Sequence, residues 1–133
     1  MNKKTEGIEI LDAIYESFPE AARDLDDALK NNYEFEPQER NEVYALLIGR
    51  FSQLTTDAIS RGDENTARSY LEFMAEKLES CGESGRKTID VSYVESLLWD
   101  IKDNKKKKWG WSLLPLPLKE LYVAMWGEPK FNS

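Results

Sequence analysis

The sequence predicts an all-α fold, and three observations carry that prediction. Apolar residues recur at i, i+3 or i+4, and i+7 along most of the chain. Period-two alternation is scarce and β-branched residues are sparse. The five prolines and seven glycines fall mostly between the apolar-periodic stretches, as punctuation. With 133 residues, 41% of them hydrophobic and 32% charged, the chain suits a single α-helical domain over 1–133 with its own core. The expected architecture is a bundle of about five to six helices, mostly paired as antiparallel hairpins.

The first helix is expected over 6–17, where Ile10, Leu11, Ile14, Tyr15 and Phe18 make an apolar stripe. Pro19 sits in the first turn of a second helix over 18–31, where its missing N–H costs little. Ala21, Ala22, Leu25, Ala28 and Leu29 face inward there, Asp24, Asp26 and Asp27 face outward, and Asn31-Asn32 ends the helix. Pro37 opens the third and longest helix, over 37–61. Val43, Leu47, Phe51, Leu54 and Ala58 trace one face of it, which Tyr44, Ile48 and Ile59 widen. So broad a stripe marks the central helix of the bundle. Gly62 closes it, and Asp63 caps a fourth helix over 64–80 bearing Ala67, Tyr70, Leu71, Met74 and Leu78.

Residues 81–85 read as a loop. A fifth helix is expected over 89–103, with Val91, Val94, Leu97, Leu98 and Ile101 inward and Asp90 or Ser92 as its cap. From Asn104 to Trp111 four lysines and Trp109-Gly110-Trp111 break the pattern. Pro117 begins a last helix over 117–126 carrying Leu118, Leu121, Tyr122, Met125 and Trp126, and the polar tail from Gly127 to Ser133 is expected to fray.

Composition narrows the chemistry. There is no histidine, which removes the commonest general base, every Ser-His-Asp or Cys-His arrangement and every zinc site needing imidazole. The single Cys81 cannot form an internal disulfide. Glu79 and Glu83 flank it and are expected to raise its thiol pKa, so it reads as structural. Gly82 and Gly85 lack the spacing of a phosphate loop. Neither a signal-length apolar run near the N-terminus nor a membrane-length one elsewhere is present, so a cytoplasmic protein without membrane contact is expected. No cofactor, metal or small-molecule substrate is expected, and an enzyme is the least favoured class.

Charge is polarised along the chain. Residues 1–40 hold eleven acids and five bases, residues 41–103 twelve and seven, and residues 104–133 two and six. The net charge of -7 argues against nucleic acid as a partner and fits a basic protein. The run Lys105–Lys108 beside Trp109 and Trp111 reads chiefly as a solvated loop, with the indoles at a core edge. The candidate partner-binding residues are the acids Asp24, Asp26, Asp27, Glu34 and Glu36, with Tyr33 and Phe35 as aromatic anchors among them. Those acids otherwise form a solvated face, and the two aromatics otherwise staple the second helix to the third.

Three segments, VYALLIGRFSQLTTDAI, YLEFMAEKLES and VSYVESLLWDI, form one long pattern within residues 43–101, followed by LLPLPLKELYVAMWG. This pattern resembles small acidic all-α bacterial immunity proteins of polymorphic toxin systems, of the contact-dependent inhibition and Rhs types. The resemblance implies a cytoplasmic, non-catalytic protein that binds and neutralises a cognate toxin domain, basic in character and a nuclease. A helical-repeat-like adaptor or regulatory subunit is the alternative. A phage-encoded DNA mimic is a more distant one.

Overall fold

The computed structural model describes residues 5–129. Its regular elements are all helical: α1 Glu6–Ser17, α2 Pro19–Asn31, a 3-10 helix Pro37–Val43, α3 Tyr44–Ser60, α4 Glu64–Ser80, α5 Glu83–Thr88, α6 Asn104–Leu113 and α7 Leu116–Trp126. A π-helical turn, Ile89–Tyr93, and a single 3-10 turn, Val94–Ser96, follow α5. Seven α-helices thus stand where five to six were expected, and the all-α class holds. Residues 1–4 and the end of the expected frayed tail, 130–133, lie outside the described residues.

Helix α3 is the axis of the bundle. It packs against α1, α2, α4, α6, the first 3-10 helix and the π turn. Arg61-Gly62-Asp63 turns the chain back so that α4 lies on α3. Gly62 supplies a φ of +77° after the helix end, and Asp63 accepts a hydrogen bond from the Thr66 N–H to open α4. At the corner between α1 and α2, Phe18 inserts between Phe51, Tyr70 and Phe73 at ring distances of 4.8–5.8 Å. This cluster ties three helices at one point.

Several expectations of local structure are corrected. The third helix does not start as an α-helix at Pro37. Residues 37–43 wind as a 3-10 helix held by a Glu36/Glu39 capping box, and its Arg40 lies 3.9 Å above the Tyr15 ring while bonding Asp12. The loop expected at Glu83–Gly85 is the first turn of α5. Its N–H groups are capped by a carboxylate from far away in sequence: Glu6 accepts from the Gly82 and Gly85 N–H groups and from the Ser84 hydroxyl. The break expected at 104–111 is helix α6, opened by Asp103, which accepts from the Lys105 and Lys106 N–H groups.

The fifth expected helix, 89–103, does not form as a continuous α-helix: its first half is the π and 3-10 turns over 89–96, and residues 97–103 are not helical. The π turn shifts the register, so that Ile89 and Tyr93 are buried and Val91 turns outward, 50% exposed. Neither Asp90 nor Ser92 caps it, and one oxygen of Asp90 is buried without a hydrogen-bond partner. Three hydroxyls on α3 hold this irregular segment. Ser52 donates to the Tyr93 carbonyl at 2.7 Å, Thr55 shares a 2.8 Å hydrogen bond with the Tyr93 hydroxyl, and Thr56 accepts from the Leu98 N–H at 3.2 Å. All three hydroxyl residues are fully buried; Ser52 and Thr56 satisfy backbone groups that a straight helix would have satisfied itself, and Thr55 satisfies the buried Tyr93 hydroxyl.

Candidate functional surface

The segment anchored by these hydroxyls builds the most distinctive surface of the molecule. Leu98 adopts a φ of +65°, a left-handed conformation that costs a leucine about 1–2 kcal/mol. Its side chain is buried, and its N–H is held by Thr56. With Leu98 fixed inward, Trp99 is turned out into solvent at 68% exposure. Trp126, from the end of α7, is 47% exposed and lies beside it with ring centroids 5.8 Å apart.

The tryptophan pair closes one end of a groove between α3 and the irregular segment. Tyr33, Ala45, Leu46, Gly49, Arg50 and Gln53 line one side of the groove, and Val91, Ser92 and Ser96 the other. Gln53 and Ser96 also belong to the hollow that holds Glu95, Trp99 and Trp126, so the two hollows adjoin. Leu46, Val91, Trp99 and Trp126 are four of the five large apolar side chains exposed among the described residues. The fifth, Leu116, lies on the α6–α7 side with Trp111 and Lys119.

The acidic residues singled out in the sequence meet this groove at one end and are otherwise largely committed to the fold. Asp24 pairs with Arg50 through two hydrogen bonds, 2.8 and 3.1 Å, and that carboxylate raises the guanidinium pKa. Asp26 accepts from the Tyr15 hydroxyl at 2.8 Å. Burial first, and then this carboxylate, push the Tyr15 pKa well above the usual tyrosine value. Glu36 caps the 3-10 helix. Asp27 and Glu34 are exposed, and Glu34 has a φ of +59°. Tyr33 and Phe35 are half-buried against the core, with the Tyr33 N–H donating to the Ala28 carbonyl and the Phe35 N–H to that of Leu29. They pack as a staple does, and Tyr33 also lines the groove.

Other features belong to packing. Trp109 and Trp111 are half-buried against the core, and Trp111 meets Tyr122 edge-on at 5.1 Å. The Cys81 thiol pKa is raised by burial and then by the carboxylate of Glu6, rather than by the flanking Glu79 and Glu83. The hollow between the α1–α2 corner and α4 is lined by Phe18 and Tyr70, which the aromatic cluster already holds. Among the described residues, no three acidic, cysteine or histidine side chains converge as a metal site, and no helix is long and apolar enough to cross a membrane.

Sequence reasoning missed the groove because it placed Val91 in the core and gave Trp99 no role. One signal was legible: Ser52, Thr55 and Thr56 stand at i, i+3 and i+4 on the broad apolar face of the central helix, where buried hydroxyls need hydrogen-bond partners.

No curated protein and no solved structure matches the chain. A family model described as a domain of unknown function, DUF7674, matches residues 11–127, and the chain belongs to that family.

Proposed function

We propose that the protein is a non-catalytic protein-binding domain whose partner docks on the groove and on the Trp99–Trp126 pair. One observation supports this reading above the others: four of the five large apolar side chains exposed among the described residues line two adjoining hollows, Leu46 and Val91 in the groove and Trp99 and Trp126 at its end. Large apolar side chains gathered on one exposed surface and rimmed by polar ones mark an interaction site. Tryptophan is also the residue type most concentrated among side chains that dominate binding energy. The net charge of -7 steers a basic partner toward the domain, while the groove supplies the contact. The acids of the first forty residues act mainly through this field, since Asp24, Asp26 and Glu36 already have partners within the fold.

In its narrower form the proposal takes the partner to be a cognate bacterial toxin domain, basic in charge and a nuclease, neutralised in the cytoplasm. That form follows from the resemblance of residues 43–101 and of the LLPLPLKELYVAMWG segment to immunity proteins. Co-expression with the C-terminal domain of the polypeptide encoded immediately upstream tests it. The expected result is a domain toxic alone, silenced and co-purified with this chain, and released by the Trp99→Ala/Trp126→Ala double variant. A harmless neighbour overturns the toxin reading. A neighbour bound equally well by the double variant overturns the docking surface.

A further inference from the structure

The groove has a shape and a charge that together select one kind of occupant. On its α3 side, Leu46, Gly49, Arg50 and Gln53 stand at i, i+3, i+4 and i+7 and rise about 10 Å along the helix axis. Its lining between the large apolar residues is small: Ala45, Gly49, Ser92 and Ser96. Both walls are helical or helical-turn backbone, so no strand edge is offered for main-chain pairing, and recognition runs through side chains. A helix laid along α3 repeats the same spacing. Its apolar residues at i, i+4 and i+7 span the same length of about 10 Å and bring its end against the tryptophan pair.

Charge sets the flanks of that helix. The one cation in the lining, Arg50, is neutralised by Asp24. Exposed acids stand along the groove and next to its ends in sequence: Glu95 in the wall, Glu34 beside Tyr33, and Asp100 beside Trp99. Lys102 is the exposed cation nearest to Trp99 in sequence. The balance around the groove is therefore negative. We infer that the occupant is a basic amphipathic α-helix of the partner, apolar along one stripe and lysine- or arginine-bearing on both flanks. The inference rests on the reading of the groove as the docking surface.

The test uses stapled peptides of roughly four helical turns, titrated calorimetrically into the full chain. One peptide carries leucine at i, i+4, i+7 and i+11 with lysine flanks. A second has glutamate in place of the lysines, and a third has glutamine in place of the leucines. The leucine–lysine peptide is expected to bind the wild type. It is expected to bind at least about tenfold more weakly to Ala45→Trp, which fills the groove from an exposed position, and to Trp99→Ala. The glutamate and glutamine peptides are expected to lose at least as much.

Failure of all three peptides to bind overturns the inference. So does equal binding by Ala45→Trp or by the glutamate peptide. If the chain alone dimerises and Ala45→Trp disperses the dimer, the occupant is a second copy and the inference falls. Where the peptides fail but a folded partner still loses affinity for Trp99→Ala/Trp126→Ala, the helix assignment falls and the docking surface stands. Where the folded partner ignores the tryptophans, both fall.

Discussion

Thr56 is a single hydroxyl on which the exposure of Trp99 depends. It is buried, and it accepts the N–H of a leucine held in a left-handed conformation. Replacing it with valine keeps the shape and removes the acceptor, leaving a buried N–H unsatisfied. The expected loss is about 1–3 kcal/mol in urea unfolding, with Thr56→Ser recovering most of it. Glu6 carries a second residue-scale prediction. Hydrogen bonds from the Gly82 N–H, the Ser84 hydroxyl and the Gly85 N–H hold its pKa below the ordinary value of 4.5. A carboxylate with a lowered folded pKa adds stability above its unfolded pKa, and that stability is lost as pH falls through the folded value. The gap in Tm between wild type and Glu6→Ala is therefore expected to be constant at neutral pH and to shrink on acidification below about 4.5. A gap that widens with acid would contradict the cap.

At the scale of elements, α6 shows what a close approach demands. A Cβ on Gly110 would lie 2.6 Å from Ile59 Cγ2 and 3.0 Å from Leu98 Cδ2, both buried side chains, so α6 sits on α3 only because this position is glycine. Gly110→Ala is expected to destabilise the fold by about 1–3 kcal/mol through overpacking, against the usual helix preference for alanine. A thermal melt decides the sign.

The same elements mark how far the sequence could be read. The strongly periodic segments around α1, α2, α4 and α7 were legible within a residue or two, because their stripes and caps are local. The capping of α5 by Glu6 was not, since its partner lies 76 residues away in sequence. Helix α6 hid because four lysines mask a short apolar face, although Asp103 before good helix formers was a usable signal. The π turn defeated periodicity at its start, exchanging Val91 for Ile89 and Tyr93 in the core, while Val94, Leu97, Leu98 and Ile101 are buried as expected. The groove depends on that exchange, so it was the least legible feature. Of the seven residues the sequence nominated, Tyr33 lines the groove, and Asp24 reaches it through Arg50.

At the scale of the whole molecule, on the proposed reading, charge and apolar surface divide the work of recognition. A net charge of -7 acts over the Debye length of about 8 Å at physiological salt, so it governs the encounter rate more than the final affinity. Raising salt is expected to slow association with a basic partner and leave dissociation nearly unchanged, as surface plasmon resonance would show. On the same reading the groove governs dissociation, because a docked partner would desolvate its exposed tryptophans. The decisive measurement is therefore the affinity of the co-purified partner for Trp99→Ala, with circular dichroism confirming the fold, set beside an Asp24→Lys/Asp26→Lys/Asp27→Lys variant. The account predicts a loss of about 2 kcal/mol or more for the tryptophan variant, and for the aspartate variant a change confined mainly to the association rate. Undiminished affinity for Trp99→Ala, with binding abolished by the aspartate changes in a folded variant, would move the interface to the acidic first third and contradict it.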